Sequence, residues 1–156
     1  MVVDIKVKQV PSYTAATLIH YGPHGPNMFR NEFNQLTKWA KKNKVRTGKW
    51  VMRWLDEPGH GPRSKIRSEA CIEIKRKAKP EGKIMIKRFP KQTVLSVVFD
   101  PNKVSVRLVY SGIYGWIRYS KLKATDSPPR EVYAANPWKS SFAWANAEVQ
   151  VPVKRR

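Results

Sequence analysis

The sequence predicts an α+β fold built from two copies of a strand-helix-strand-strand unit. The first observation is a repeat, because moving the sequence forward by 79 positions brings residues 50–74 onto residues 129–153. The same offset brings VKQVP at 7–11 onto IKRFP at 86–90. The second observation is patterning, since each copy has apolar residues at strand spacing on both sides of one stretch at helical spacing. An offset that holds near both ends of the unit indicates a duplication.

The first unit contains one predicted helix between strands. Residues 2–20 are rich in β-branched residues, with a proline interruption, and predict two strands or one bent strand. Asn27 is a suitable N-cap, and residues 29–40 then place Phe, Phe, Leu and Ala at helical spacing. Residues 50–55 and 67–74 alternate and predict the two strands that complete the unit.

The second unit repeats this pattern with one ambiguous stretch. Residues 84–99 predict strand, as do 131–134 and 147–153. Residues 103–122 fit a helical stripe, but their glycines and β-branched residues also fit strands. The duplication favours the helix, because the counterpart in the first unit is helical.

Composition indicates a globular protein. The chain has 156 residues, 41% of them hydrophobic, and six tryptophans, which is enough for a core. We predict a single domain, 1–156, made of two repeats, 1–79 and 80–156. Cys71 is the only cysteine, which excludes an intrachain disulfide and fits a reducing compartment. No signal-peptide pattern and no apolar run of about 18 residues occurs, so we expect a cytoplasmic protein.

The formal net charge is +20, and basic residues are spread over both units. Such a surface attracts nucleic acids and acidic membranes without specificity. A solubility trait explains the charge equally well. The densest basic patch, which is either a nucleic-acid contact or a solvated helix end, comprises Lys38, Lys41, Lys42, Lys44, Arg46 and Lys49.

Strand alternation predicts a face for a binding site. The aliphatic rows 70–74 and 149–153 should lie under the helices. Glu69 and Glu148 then point to the opposite, helix-free face, where the junction of the two units would place a cleft. The alternative for each single glutamate is a solvated strand residue or an ion pair with arginine. For the face as a whole we expect a shared aromatic and acidic set: Trp50, Met52, Trp54, Glu131, Tyr133 and Glu148. Trp39 and Trp116, on the helices, are expected to be core residues.

Four sequence segments occur along the chain in the order that is typical of one protein family. They are VKQVPSYTAATLIHYGP, with a following helix that ends in LTKWA; WLDEPGHGPRSKIRSEACIEI; FPKQTVLSVVFDP; and REVYAANPW followed by AEVQVPV. The chain thereby resembles the GyrI-like small-molecule-binding domain, which is also the effector-binding domain of some multidrug-responsive transcription activators. The resemblance implies a duplicated β-α-β-β motif with a pseudo-twofold axis, an antiparallel sheet curled around a central cleft, and helices on the outer face.

The resemblance also implies a function. Family members bind lipophilic, often cationic molecules between aromatic side chains and a buried acidic residue. The matching positions are Glu131 in REVY, with Glu148 in AEVQVPV second, and Trp138 joins the aromatic set. No DNA-binding helix-turn-helix accompanies the motifs, so the expectation is a standalone ligand-binding domain, monomeric or dimeric, without a cofactor.

Two alternatives stay open. One is a nucleic-acid-associated or gyrase-modulating basic protein. The other is a hydrolase of strained cyclopropane-type electrophiles, in which Glu131 would be catalytic and Tyr133 or Trp138 the aromatic partner. A metal site at His60 with Asp56 and Glu57 is conceivable, but solvated loop residues are expected there.

Overall fold

The computed structural model describes residues 4–23, 29–56 and 62–156. Asn27, His24, Glu57 and His60 lie outside these ranges. In the described ranges the strands are β1 (Lys6–Val10), β2 (Tyr13–Tyr21), β3 (Thr47–Trp54), β4 (Arg67–Ile74), β5 (Met85–Phe89), β6 (Gln92–Phe99), β7 (Leu122–Ala124), β8 (Arg130–Tyr133) and β9 (Ala147–Arg155). The helices are α1 (Arg30–Lys42), α2 (Val106–Arg118) and the short α3 (Ser141–Ala145).

One antiparallel sheet organises the chain. Its strand order is β1-β6-β9-β8-β3-β4-β2-β5, and β7 pairs with β9 beside this path. The order is the same from either end when each strand is replaced by its counterpart in the other half, so a pseudo-twofold axis passes between β3 and β8. The first strand of each half pairs with the other half, since β1 pairs with β6 and β5 with β2. The two halves are therefore interlocked.

The strand bounds follow the sequence repeat. Shifting β1 by 79 positions gives the bounds of β5, and the same shift brings the end of β3 onto the end of β8. The predicted α+β fold class is confirmed, because the chain forms a curled antiparallel sheet with helices packed on it. The repeat boundaries, 1–79 and 80–156, stay a prediction.

Both long helices cover the same face of the sheet. Helix α1 buries Phe33, Leu36 and Trp39, and α2 buries Val109 and Ile113, in one core with the aliphatic rows of β4 and β9. The predicted position of these rows under the helices is therefore correct. The Ser105 hydroxyl caps α2 by accepting a hydrogen bond from the backbone N–H of Arg107. No helix in the described ranges is both long and apolar enough to span a bilayer.

Three local expectations need correction. The stretch 103–122 is helical only from Val106 to Arg118 and ends in β7, and α3 was not expected. Trp116, expected in the core, is 41% exposed, whereas Trp39 is buried as expected. The reason for the first error is that β-branched and small residues on α2 carry weak helix propensity, so only its packing against the sheet sets its limits.

The face predicted for the cleft residues was wrong. In the β3–β4 register, Trp50 lies opposite Ile72 and Met52 opposite Ala70. Neighbouring residues in register point to the same face, so the β3 aromatic row shares the helix-bearing face with the aliphatic row. The predicted alternation of side chains within each strand is correct. Which rows of two neighbouring strands share a face depends on the register between the strands, and local alternation does not give that register. Glu69 and Glu148 do point to the helix-free face, as expected.

The helix-free face carries a buried charged network around a small apolar cluster. Glu69 is 0% exposed and accepts hydrogen bonds from Arg53 Nη1 at 2.8 Å and Lys87 Nζ at 2.5 Å. Arg130, also buried, donates to the amide oxygens of Gln150 and Gln92. The hydrogen bonds made by Glu69 and Arg130 indicate a structural role for these two groups.

Candidate functional site

A large cavity in the described part of the chain lies between the centre of the sheet and α2. Its volume is about 890 Å³. Met52 and Trp54 line it from β3, and Glu131 and Tyr133 line it from β8. Four further aromatic residues line it, namely Tyr110, Tyr114, Trp138 and Trp144, together with charged residues such as Arg107 and Asp126.

Helix side-chain size explains why the space opens beside α2 and not beside α1. On the α1 side, the Phe33 ring packs 4.8 Å from Trp50 and the Phe29 ring packs 5.7 Å from Trp54. On the α2 side the most deeply buried residues are Val109 and Ile113, which are shorter. Large rings thus fill one half of the pseudo-symmetric sheet, and the other half keeps a cavity.

The pseudo-twofold axis places one acidic residue at the centre of the cleft. Met52 and Glu131 are equivalent under the 79-residue repeat, and they also lie opposite each other in the β3–β8 register. The axis therefore passes between them. Because one is a methionine and the other a glutamate, only one of these two central positions is acidic despite the symmetry of the backbone, and Asp56 and Asp126 also line the cavity.

Aromatic donors hold the Glu131 carboxyl. The group is 8% exposed. Trp54 Nε1 donates to its Oε2 at 2.6 Å, and the Tyr110 hydroxyl lies 3.5 Å from the same oxygen. The Tyr133 hydroxyl also donates to this carboxyl. The ion pairs among the described residues do not include Glu131, so no described lysine, arginine or histidine acts as its counter-ion.

Burial shifts the ionisation of this cluster. Burial raises the pKa of Glu131 from 4.5 to about 7, although the hydrogen bonds from Trp54, Tyr110 and Tyr133 act in the opposite direction. Burial, and then the nearby Glu131 charge, raise the pKa of the Tyr110 and Tyr133 phenols well above their usual value, so both remain donors. The carboxyl is therefore partly protonated at neutral pH, and a bound cation would favour its ionised form.

Stacked rings form the rest of the cleft. Tyr133 and Trp144 stack with centroids 6.2 Å apart and planes 2° apart, and Trp138 lies 6.4 Å from Trp144. Tyr110 and Tyr114 stack at 6.4 Å on α2. Trp138 Nε1 is buried and has no hydrogen-bond partner in the described structure, so it is an orphan donor that a ligand oxygen or nitrogen can satisfy.

The structure brings together five of the seven residues proposed from the sequence. Met52, Trp54, Glu131, Tyr133 and Trp138 line the cleft. The other two do not line it. Trp50 is buried under α1, and Glu148 lies on the helix-free face, where Lys8 Nζ, Ser96 Oγ and Gln150 Nε2 donate to it within 3.0 Å.

The network around Glu148 has an electrostatic effect. Burial alone would raise the pKa of Glu148, but the hydrogen bonds from Gln150, Ser96 and Lys8 outweigh it and hold the pKa below its usual value. Glu148 is therefore a paired structural carboxylate.

The sequence analysis missed three aromatic residues of the cleft: Tyr110, Tyr114 and Trp144. Tyr110 was assigned to the helical core stripe, because periodicity gives the same signal for a side chain that faces a core and one that faces a cavity. Tyr114 follows Tyr110 by four residues and so lies on the same side of α2. This spacing is the sequence signal that could have identified Tyr114 as a cleft residue. Trp144 lies on α3, whose existence was not predicted.

The conceivable metal site has no support in the described ranges. His60 and Glu57 lie outside them, and both Asp56 oxygens accept hydrogen bonds from the Arg67 side chain. Among the described residues, no group of three or more His, Cys, Asp or Glu is placed to hold a metal ion.

Comparison with known proteins shows which family model the sequence matches and which solved structures share the fold. The model of the GyrI-like small molecule binding domain matches residues 3–154. No curated protein sequence is significantly similar to the chain.

Several solved structures share the fold at low identity. The EcmrR C-terminal domain is 19% identical with a TM-score of 0.84, and the match covers 100% of both chains. In the EcmrR–DNA complex the match covers 99% of this chain and 58% of EcmrR, at 19% identity and a TM-score of 0.78. A hydrolase from Listeria innocua is 11% identical over 96% of this chain and 91% of its own, with a TM-score of 0.64. SAV2435 bound to tetraphenylphosphonium is 12% identical over 97% of this chain and 94% of its own, with a TM-score of 0.55.

Proposed function

The chain belongs to the GyrI-like family of small-molecule-binding domains, and from this premise we propose that it binds a hydrophobic, cationic molecule in the cleft beside α2. One observation carries the proposal. Glu131 is a buried carboxyl that has no protein counter-ion in the described ranges and is surrounded by aromatic rings. A cation over these rings gains both charge pairing and cation–π attraction.

The size and chemistry of the cleft support a single small ligand. A cavity of about 890 Å³ lies within the roughly 300–1,000 Å³ of typical ligand sites. Trp138 Nε1 adds one orphan donor, so a ligand with a hydrogen-bond acceptor beside Trp138 would satisfy it. SAV2435, which shares the fold, binds tetraphenylphosphonium. This lipophilic cation is therefore a suitable probe.

The net charge of +20 does not prevent the binding of a cation. Physiological salt screens exposed charges beyond about 8 Å, whereas the buried Glu131 carboxyl acts at contact distance. The charge slows the approach of a cation more than it weakens the final complex. The bound molecule would be sequestered or sensed by the domain.

The affinity for tetraphenylphosphonium should increase with pH. Because the pKa of Glu131 is about 7 in the free protein, the ionised form is scarce at pH 6 and dominant at pH 8. We expect binding to be about tenfold weaker at pH 6 than at pH 8, in proportion to the ionised fraction. Quenching of tryptophan fluorescence measures the dissociation constant at each pH. A constant affinity over this range, or no saturable binding, would contradict the proposal.

A second candidate function is nucleic-acid binding, which one structural feature favours. The exposed lysines and arginine of the predicted patch meet those of the β4–β5 connector at one end of the sheet. The Lys75 N–H donates to the Arg46 carbonyl at 2.9 Å, and Arg76 Nη2 donates to the Asn43 carbonyl at 2.9 Å. We call this surface the basic end: Lys38, Lys41, Lys42, Lys44, Arg46, Lys49, Lys75, Arg76, Lys77, Lys79 and Lys83. EcmrR, with the same fold, forms a DNA complex.

If the basic end binds DNA, replacing Lys41, Arg46 and Lys49 with alanine should weaken binding of a short duplex and reduce its salt dependence. Each lost phosphate contact should lower the slope of log affinity against log salt by about 0.9. Fluorescence anisotropy over a salt series measures both. The control replaces Lys91, Lys103 and Lys139, which changes the net charge equally. Equal effects of the two triple variants, or no binding at low salt, would reject a site at the basic end.

The hydrolase alternative rests on the same carboxyl. A group with a pKa of about 7 is suited to accept a proton from water. The Listeria innocua hydrolase shares the fold at 11% identity, which carries no information on chemistry. We therefore propose binding, and not turnover, as the primary function.

A further inference from the structure

The outer face of α2 carries exposed large apolar side chains near both of its ends. It consists of Leu108, Ser111, Gly112, Gly115 and Tyr119, with Trp116 on one flank. Leu108 is 58% exposed, Tyr119 is 88% exposed and Trp116 is 41% exposed. Arg107 and Arg118, which are also exposed, border this face on one side, next to Ser111. Exposed apolar groups that adjoin one another on a helix usually mark a surface that contacts something else.

Helix α1 shows that the fold itself does not require an apolar outer face. The two helices hold equivalent positions in the pseudo-symmetric structure. At the outward positions α1 carries Arg30, Asn31, Asn34, Lys38 and Lys41, which are polar or charged and exposed. The apolar residues of α2 are therefore a property of its sequence that the core does not explain.

Only cations surround this face along the chain. Residues 103–123 contain no aspartate or glutamate, and the charged residues are Lys103, Arg107, Arg118, Lys121 and Lys123. Helix α3 adds a further exposed ring, Phe142, which is 73% exposed. It is connected to the turn before α2, because Trp144 Nε1 donates to Asn102 Oδ1 at 3.2 Å.

We propose that the outer face of α2 docks on the surface of an anionic lipid bilayer. Leucine and aromatic side chains bordered by lysine and arginine are typical of helices that lie in the membrane interface. Anionic lipids attract each nearby cation, and the +20 chain is complementary to them. A second copy of the chain would instead bring two strongly basic molecules together, which their charges oppose.

The same helix also forms a wall of the cleft. Arg107, Tyr110 and Tyr114 line the cavity, while Leu108 and Tyr119 point outward. A docked α2 would place the cleft beside the lipid surface. Insofar as the cleft binds lipophilic cations, which rests on the proposed function, its ligand would enter from the bilayer, where such molecules accumulate.

Vesicle flotation tests the docking. Vesicles of equimolar phosphatidylcholine and phosphatidylglycerol are compared with vesicles of phosphatidylcholine alone. We expect binding to the anionic vesicles only, and the double variant Leu108→Gln/Tyr119→Gln should weaken it at least about tenfold, because apolar burial at the interface is lost. The control double variant, Met85→Gln/Val98→Gln, should bind like the unchanged protein. Its two residues are 52% and 61% exposed and lie on the helix-free face.

Three results would overturn the docking proposal. They are no flotation with anionic vesicles at low salt, equal loss in both double variants, and a dimer in sedimentation velocity that Leu108→Gln/Tyr119→Gln dissociates. The last result would assign the face to a second copy. Thermal unfolding checks that each variant is folded. Tetraphenylphosphonium binding in solution is measured for each variant as well, so loss of docking is distinguished from loss of the cleft.

Discussion

Glu131→Gln is expected to weaken tetraphenylphosphonium binding about 10- to 100-fold, the range for loss of one charge-assisted contact in a buried site. Glutamine keeps the shape of the side chain and can still accept from Trp54 Nε1, which lies 2.6 Å from the carboxylate in the present structure. The loss would therefore report the charge. Calorimetry or tryptophan quenching at pH 8, where the carboxyl is ionised, measures it.

Glu148→Gln is the matched control. Glu148 lies on the helix-free face of the sheet, opposite the face that holds the cleft. Lys8 Nζ already pairs with its Oε2 at 3.0 Å. Its replacement should leave the dissociation constant unchanged. A neutral aromatic ligand of similar size should bind the Glu131→Gln variant and the unchanged protein alike. If Glu148→Gln weakens the cation as much as Glu131→Gln does, the carboxyl in the cleft is not the determinant.

The same Glu131→Gln change should stabilise the fold at pH 8. The folded chain keeps the Glu131 proton up to about pH 7, whereas the unfolded chain releases it near 4.5. The folded state thus binds more protons between these values, and stability falls as the pH rises through this window. A pKa shift of this size lowers the free energy of unfolding at pH 8 by roughly 3 kcal/mol. Glutamine does not ionise, so the variant avoids this loss. Urea unfolding at pH 8 should show the gain, and at pH 4 the two proteins should be nearly equal.

Glu69→Gln should have the opposite effect. Glu69 is also buried, but Arg53 and Lys87 pair with it at 2.8 and 2.5 Å. Removing the carboxylate leaves two cations without their partner, and breaking such a buried pair costs about 3 kcal/mol or more. Lys87 is 40% exposed, so water recovers part of this loss. The same urea experiment at pH 8 measures it, and a common sign for Glu69→Gln and Glu131→Gln would disprove the assigned roles.

The two glutamates illustrate what distinguishes a ligand site from a structural network in this fold. Both are on central strands and both are buried. Glu69 has cationic partners supplied by neighbouring strands, so its burial is compensated within the chain. Glu131 has only neutral aromatic donors in the described ranges, so no cation among the described residues compensates the burial of its charge, and its pKa is raised. The difference is in the neighbours, and their identity depends on register.

Local pattern in the sequence was sufficient for the duplication and for most elements. The repeat at 79 residues determined that two similar units occur, and alternation correctly predicted β4 as 67–74 and placed Glu69 and Glu148 on one face. Glu131 was the first candidate because it matches the acidic residue of a family motif, and it does line the cleft. These inferences depend on neighbours along the chain, which the sequence shows directly.

Only the tertiary structure decided which face holds the cleft and what its walls are. The pairing of Trp50 with Ile72 and of Met52 with Glu131 joins residues far apart in sequence, and a change of one residue in register would turn the aromatic row to the opposite face. The aromatic wall from α2 and the ring from α3 likewise depend on how helices pack on the sheet. A side chain's direction along its own strand is local, but the partner it meets is set by the packing of distant segments.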